Sequence, residues 1–281
     1  MAGIAAGGAR RNPIAPYLLI APGVVWLVVF FVVPLITLAH TSFAGEGVPW
    51  WDGYRRAFTE YGGFMLRSFR FSALATLVAL VLGYPLAYVM AFRAGRFKNF
   101  LLGLVILPFF TTFLVRTFAW KTILNDAGPV VTLLQTLHLL GSEGRLLNTN
   151  WAVVGGLTYN FLPFMILPIY VSLEKIDRRL VEAAQDLYCS PMRAFGKVVF
   201  PLSLPGVFAG SLLTFIPASG DFINAELLGS PNQRMIGTVI QNQFLRVHDY
   251  PLAAALSFVL MTIITIAVVA YARALGTEDL A

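Results

Sequence analysis

Charged side chains are scarce in this sequence: they make up 12% of its 281 residues, whereas soluble domains carry about 25%. The single cysteine, Cys189, excludes an internal disulfide and C-x-x-C metal sites. The three histidines form no H-E-x-x-H pair, and no G-x-x-x-x-G-K-[ST] phosphate-binding loop occurs. The sequence therefore predicts no metal site, no catalytic residues and no cofactor held by this chain.

Hydrophobic residues make up 58% of the chain and come in long uninterrupted blocks. About 20 such residues cross the hydrocarbon core of a bilayer, and only helices and closed barrels satisfy their backbone there. Barrel strands would be shorter and would alternate in polarity. We therefore predict an all-α integral membrane protein, one transmembrane domain over residues 1–281. Its six helices are predicted at about 17–38, 71–92, 100–120, 151–173, 204–225 and 252–272.

The net charge of +6 sits in short segments between these blocks, which favours membrane topology over nucleic-acid binding. Segments on the side of the termini carry the higher density of Lys and Arg, including Arg10 and Arg11. Both termini are therefore expected in the cytoplasm. The apolar run after Arg11 is too long for a signal peptide, so it is expected to be the first span.

The segment 174–203, between the fourth and fifth windows, has strong local signals. Asp177 is a good N-cap for a short helix, and Ser190 followed by Pro191 predicts the start of a second helix. Pro201 and Pro205 are expected to break the chain before the fifth span. The simplest interpretation of this segment is a solvent-exposed amphipathic loop with no binding role. The small pair Ala183–Ala184, however, permits close approach of another backbone.

This segment resembles the EAA loop of type I ATP-binding-cassette (ABC) importer permeases. The matching residues are Glu182, Ala183, Ala184, Pro201, Pro205 and Gly206. In that family the loop is a coupling helix that sits in a groove of a cytoplasmic ATPase. The resemblance covers nearly the whole chain and implies the six-helix permease fold. It assigns ATPase coupling to Glu182, Ala183, Ala184, Asp186, Leu187, Tyr188, Cys189, Ser190 and Pro191.

Tyr188 departs from the family, which usually has glycine at this position. Glycine adopts positive φ and ends the first helix, whereas tyrosine does so only at a cost. Either the turn shifts to Cys189, or the tyrosine ring fills part of the partner's groove.

Within the family, the chain is most similar to spermidine/putrescine permeases, through the stretches at 82–88, 107–116, 159–177 and 215–222. The resemblance implies a bacterial inner membrane location and a polyamine cargo. It also implies an ATPase dimer holding ATP and Mg, a second homologous permease, an extracytoplasmic binding protein and lipid as partners. Ferric ion, thiamine or a sugar are alternative cargoes.

Asp221 is the one acidic residue placed inside a predicted span, and buried charges in membranes usually face a cavity or a partner. A carboxylate in a water-filled path suits a polycation; alternatively, Asp221 sits in water at the outer end of the span. Other candidates for the substrate path are Tyr159, Asn160, Phe110 and Ser219, although helix packing is the commoner role for such residues. Arg116 is expected to reach the outer surface or to pair with an acid.

Two other functions have weaker support. Ser219-Gly220-Asp221 resembles part of an intramembrane aspartyl protease motif, but no other span holds a second Asp. An ATP-independent carrier would not need the loop around Ala184, and charges for ion coupling are nearly absent. Finally, Gly206 and Gly210 form a G-x-x-x-G pattern, which favours close helix packing.

Overall fold

The computed structural model describes residues 15–45, 49–141 and 144–274, and these ranges contain helices and no strand. Arg10 and Arg11 lie outside them. The helices, in chain order, are α1 (Ala15–Leu27, a π-helical turn Val28–Val32, and Val33–Ser42), α2 (Asp52–Thr59), α3 (Gly62–Phe92), α4 (Lys98–Ile106), α5 (Phe113–Leu124), α6 (Pro129–Thr136), α7 (Asn150–Glu174), α8 (Arg178–Asp186), α9 (Pro191–Ala194, a π-helical turn Phe195–Val199, and Phe200–Ser219), α10 (Ile223–Leu228), α11 (Ile236–Asn242) and α12 (Tyr250–Ala274).

Five of the described helices are long and apolar enough to cross a membrane, and a bent pair brings the number to six. The five span-length segments are Leu19–Ser42, Gly62–Phe92, Asn150–Glu174, Pro191–Ser219 and Tyr250–Arg273. The chain is thus an all-helical membrane protein, as its composition predicts.

The third predicted span is not one straight helix. Its halves, Gly95–Phe110 and Phe113–Thr136, meet at 96°. Pro108 has no N–H for helix propagation, and the chain tightens there into a 3₁₀ turn at Leu107–Phe110. Thr111 and Thr112 are extended, with ψ of 144° and 145°. A hydropathy window cannot detect this bend, because every residue around it is apolar or small.

The expected break at Pro201 and Pro205 is wrong, because α9 runs through both prolines. A π-helical turn at Phe195–Val199 ends two residues before Pro201, and this wider turn accommodates a ring that would clash with a regular helix. The helix ends earlier than predicted, at Ser219, with Gly220 as its C-cap. Asp221 therefore lies in the short break before α10 rather than within a span helix.

Helix α7 is the centre of the bundle and packs against α3 and α9. A Cβ on Gly206 would lie 2.5 Å from Ser172 Cβ, and one on Gly210 would lie 2.9 Å from the Met165 carbonyl oxygen. The two glycines therefore let α9 approach the backbone of α7, as the G-x-x-x-G pattern predicts. On the other side, α12 packs against α1, α2 and α11.

Candidate functional site

The segment after α7 forms an elbow, residues 175–199, that contains α8 and the start of α9. The Asp177 carboxylate accepts a hydrogen bond from the Arg179 N–H at 3.0 Å and caps α8. Ser190 is extended, with φ −64° and ψ 152°, and Pro191 is the first residue of α9. Both predicted helix starts are confirmed, but the second belongs to the fifth span helix.

Tyr188 itself ends α8, so the turn does not shift to Cys189. The Tyr188 N–H donates to the Gln185 carbonyl at 2.9 Å, and the Cys189 N–H donates to the Ala184 carbonyl at 3.1 Å. This pair of bonds is the Schellman motif, in which the residue after the C-cap is left-handed and usually glycine. Tyr188 takes that conformation with φ 59°, which costs a residue with a Cβ about 1–2 kcal/mol.

The predicted coupling residues lie together on the surface of the elbow. Ala184 and Cys189 are half-buried, and the other members are exposed: Glu182, Ala183, Asp186, Leu187, Tyr188, Ser190 and Pro191. No residue of α8 is buried against the bundle. Val181 packs against the bundle core, and most of the remaining surface of α8 faces outward, which suits contact with another protein.

The elbow is fixed to the bundle by aromatic side chains on α3 that the sequence reasoning missed. The Phe195 ring lies 5.8 Å from the Tyr84 ring and 5.7 Å from the Tyr88 ring, both edge-on. Arg178 Nη2 donates to the Ala91 carbonyl at 3.1 Å. The available signal was the spacing of Tyr84, Tyr88 and Phe92, which places three aromatic rings on one helix face.

A buried polar cluster joins α5, α7 and α10 at the far end of α9. Asn160 Nδ2 donates to Thr117 Oγ1 at 3.2 Å and to Asn224 Oδ1 at 3.1 Å. The Asn224 N–H donates to Asp221 Oδ1 at 2.8 Å. Asp221 is 8% exposed, so the alternative that it sits in water is wrong. Its carboxylate caps α10 and shares the cluster with Asn160.

The other predicted path residues lie apart from this cluster. Ser219 is buried, and its hydroxyl donates to the Phe215 carbonyl of its own helix at 2.8 Å. The Tyr159 ring packs edge-on against Trp120 at 5.3 Å. Phe110, in the bend between α4 and α5, points out of the bundle. Of the predicted set, the structure brings together Asp221 and Asn160, with Asn224 and Thr117 as unpredicted neighbours.

Arg116 neither reaches the surface nor pairs with an acid within the described ranges. It is buried, and its Nε and Nη1 have no hydrogen-bond partner there. The guanidinium carbon lies 5.8 Å from the centre of the Phe109 ring and 5.7 Å from that of Phe113. These aromatic faces take the place of the expected carboxylate, since ring faces attract cations.

The chain is similar to known transport proteins over most of its length. Residues 83–275 match the family described as binding-protein-dependent transport system inner membrane component. The chain is 37% identical to the spermidine/putrescine transport system permease protein PotB of Haemophilus influenzae, over 89% of this chain and 90% of the relative. PotB of Escherichia coli is also 37% identical, over 89% and 94%. The E. coli inner membrane ABC transporter permease YdcU is 34% identical, over 76% and 72%.

Solved structures of two ABC transporters share the fold. One, a bacterial transporter involved in alginate import, matches with a TM-score of 0.70 at 16% identity, over 93% of this chain and 94% of that one. The methionine transporter MetNI matches with a TM-score of 0.57 at 17% identity, over 75% and 94%. The architecture, the family match and the relatives agree. The chain belongs to the binding-protein-dependent inner membrane components, the multi-pass permease subunits of type I ABC importers.

Proposed function

We propose that this permease imports polyamines such as spermidine and putrescine, together with a second, homologous permease. A cytoplasmic ATPase dimer binds and hydrolyses ATP, and an extracytoplasmic binding protein delivers the cargo. The observation that carries this proposal is the elbow, which contains a capped helix with no buried residue and is tied to α3 through the ring of Phe195. The polyamine assignment is supported by the PotB relatives and by the buried carboxylate of Asp221.

Helix α9 links the two candidate sites mechanically. It begins at Pro191 in the elbow and ends at Ser219, next to the break that holds Asp221. Its 29 residues extend about 43 Å at the rise of an α-helix. A movement imposed on the elbow by the ATPase is therefore carried along α9 to the polar cluster. We propose that this movement separates α5, α7 and α10 and opens the path for the cargo.

The cytoplasmic position of the elbow is testable with the native cysteine. Cys189 is the only cysteine in the sequence and lies half-exposed in the elbow. A membrane-impermeant maleimide should label the permease in inside-out vesicles and not in right-side-out vesicles. Mass spectrometry of the labelled chain gives the readout.

A reciprocal control uses the opposite side of the membrane. The variant Thr59→Cys in a Cys189→Ala background places a thiol on exposed α2 and should give the reverse labelling pattern. Labelling of Cys189 in right-side-out vesicles contradicts the proposed orientation and removes the elbow from the reach of a cytoplasmic ATPase.

The cargo is tested by transport in proteoliposomes that contain both permeases, the ATPase and the binding protein. Labelled spermidine should accumulate only with ATP, and polyamines should stimulate ATP hydrolysis where ferric ion, thiamine and maltose do not. Asp221→Asn should lower spermidine uptake about 10-fold, equivalent to about 1.4 kcal/mol. The substitution removes the negative charge that attracts an ammonium group of the polyamine, whereas the new amide oxygen still accepts a hydrogen bond from the Asn224 N–H.

Two comparisons separate cargo binding from structure in this experiment. Asp221→Ala removes both the charge and the cap on α10, so it should also lower the unfolding temperature of the permease. If Asp221→Asn transports like the original chain and only Asp221→Ala fails, the carboxylate serves α10 alone. Stimulation by another solute instead of polyamines overturns the cargo assignment.

A further inference from the structure

The turn at the end of α8 keeps a tyrosine where backbone geometry favours glycine. Tyr188 has φ 59°, a left-handed conformation that glycine adopts freely and asparagine tolerates. Both hydrogen bonds of the turn are made by backbone atoms. The Tyr188 side chain is 98% exposed, so no contact with the described residues explains why a large side chain stands at this position.

The Tyr188 ring is one of three strongly exposed side chains within six residues of the chain. Tyr188 is 98% exposed, Leu187 82% and Met192 80%. The elbow is attached to the bundle on either side of Tyr188, through Arg178 and through Phe195. Apolar side chains that project this far into solvent typically mark a contact with another protein.

We propose that the Tyr188 ring inserts into an apolar pocket of the cognate ATPase and selects that ATPase from others. This inference rests on the proposed docking of the elbow and names the residue that gives the docking its specificity. A tyrosine ring is rigid and large, so it makes a strong anchor at little entropic cost. The left-handed turn leaves the ring in solvent, where a partner can enclose it.

Binding of the purified ATPase to the permease pair in nanodiscs tests this role. Tyr188→Phe keeps the ring and the strain, and should bind the cognate ATPase within about 2-fold of the original chain. Tyr188→Asn relaxes the turn but removes the ring, and should weaken binding about 10-fold, a factor that corresponds to about 1.4 kcal/mol. The unfolding temperature of Tyr188→Asn should stay unchanged or rise, which shows that the loss is not a folding defect.

A second ATPase, from an importer whose permease has glycine at this position, tests selectivity. Tyr188→Gly should narrow the difference in affinity between the cognate and the second ATPase. If Tyr188→Asn binds the cognate ATPase as tightly as the original chain, the selection role of Tyr188 is overturned.

The variant Ala184→Arg distinguishes this inference from the proposed function. If Ala184→Arg prevents ATPase binding while Tyr188→Asn does not weaken it, the elbow docks the ATPase and only the role of the tyrosine fails. If Ala184→Arg leaves binding intact, the docking of the elbow fails, and the inference fails with it.

Discussion

Ala184→Arg should abolish solute uptake while the permease remains inserted and folded. Ala184 lies half-buried on α8, a helix with no buried residue, so a long arginine side chain there can extend into solvent in the isolated chain. In the complex, the arginine side chain adds bulk and charge where the small pair Ala183–Ala184 would let the backbone of the ATPase come close, so it should prevent docking. We expect uptake and ATPase binding to fall by at least about 100-fold, which corresponds to about 2.8 kcal/mol.

The matched control is Gln185→Arg, which introduces the same side chain one residue further along. The rotation of an α-helix moves it about 100° around the axis, and Gln185 is not among the predicted coupling residues. Gln185→Arg should keep most of the uptake. Transport by Ala184→Arg at the original rate contradicts the coupling role of α8, provided that both variants reach the membrane in equal amounts.

The elbow was predictable because its signals are local. The Asp177 cap depends on atoms two residues apart, and the extended Ser190 before Pro191 is set by the preferences of those residues alone. The membrane spans were predictable for a similar reason, since crossing a bilayer needs only length and apolarity. These features therefore depend little on which other segments of the chain they contact.

Features that depend on packing were not predictable. Pro201 favours a break in any isolated segment, yet α9 continues because a π-helical turn precedes the ring. The polar cluster joins Asn160 to Thr117 and Asn224, which are 43 and 64 residues away in the chain. Arg116 was expected to reach the outer surface or pair with an acid, but it is buried and lies 5.8 and 5.7 Å from two phenylalanine ring centres. The polar cluster depends on which helices meet, and the course of α9 and the surroundings of Arg116 depend on backbone geometry; hydropathy contains neither kind of information.

Gly206→Ala should strongly destabilise the permease, because α9 touches the backbone of α7 at this point. A Cβ on residue 206 would lie 2.5 Å from Ser172 Cβ, 2.6 Å from the Pro168 carbonyl oxygen and 3.0 Å from Ile169 Cα. Two of these atoms belong to the backbone, so a side-chain rotation cannot relieve the contact. We expect a loss of about 1–3 kcal/mol, typical of overpacking in a tight core, and failure to fold for Gly206→Leu. The unfolding temperature in detergent measures the stability lost in Gly206→Ala. The yield of membrane-inserted protein shows whether Gly206→Leu folds.

Gly155→Ala supplies the control on the other helix of this pair, because a Cβ there meets nothing within 4 Å. Alanine also favours a helix over glycine by about 1 kcal/mol, so this variant should be as stable as the original chain or more so. An unfolding temperature for Gly206→Ala equal to that of Gly155→Ala contradicts the close approach of α7 and α9.

Since α9 connects the elbow to the polar cluster, Gly206→Ala protein that still assembles with the ATPase should hydrolyse ATP with reduced uptake. A displaced α9 passes less of the movement of the elbow to Asp221.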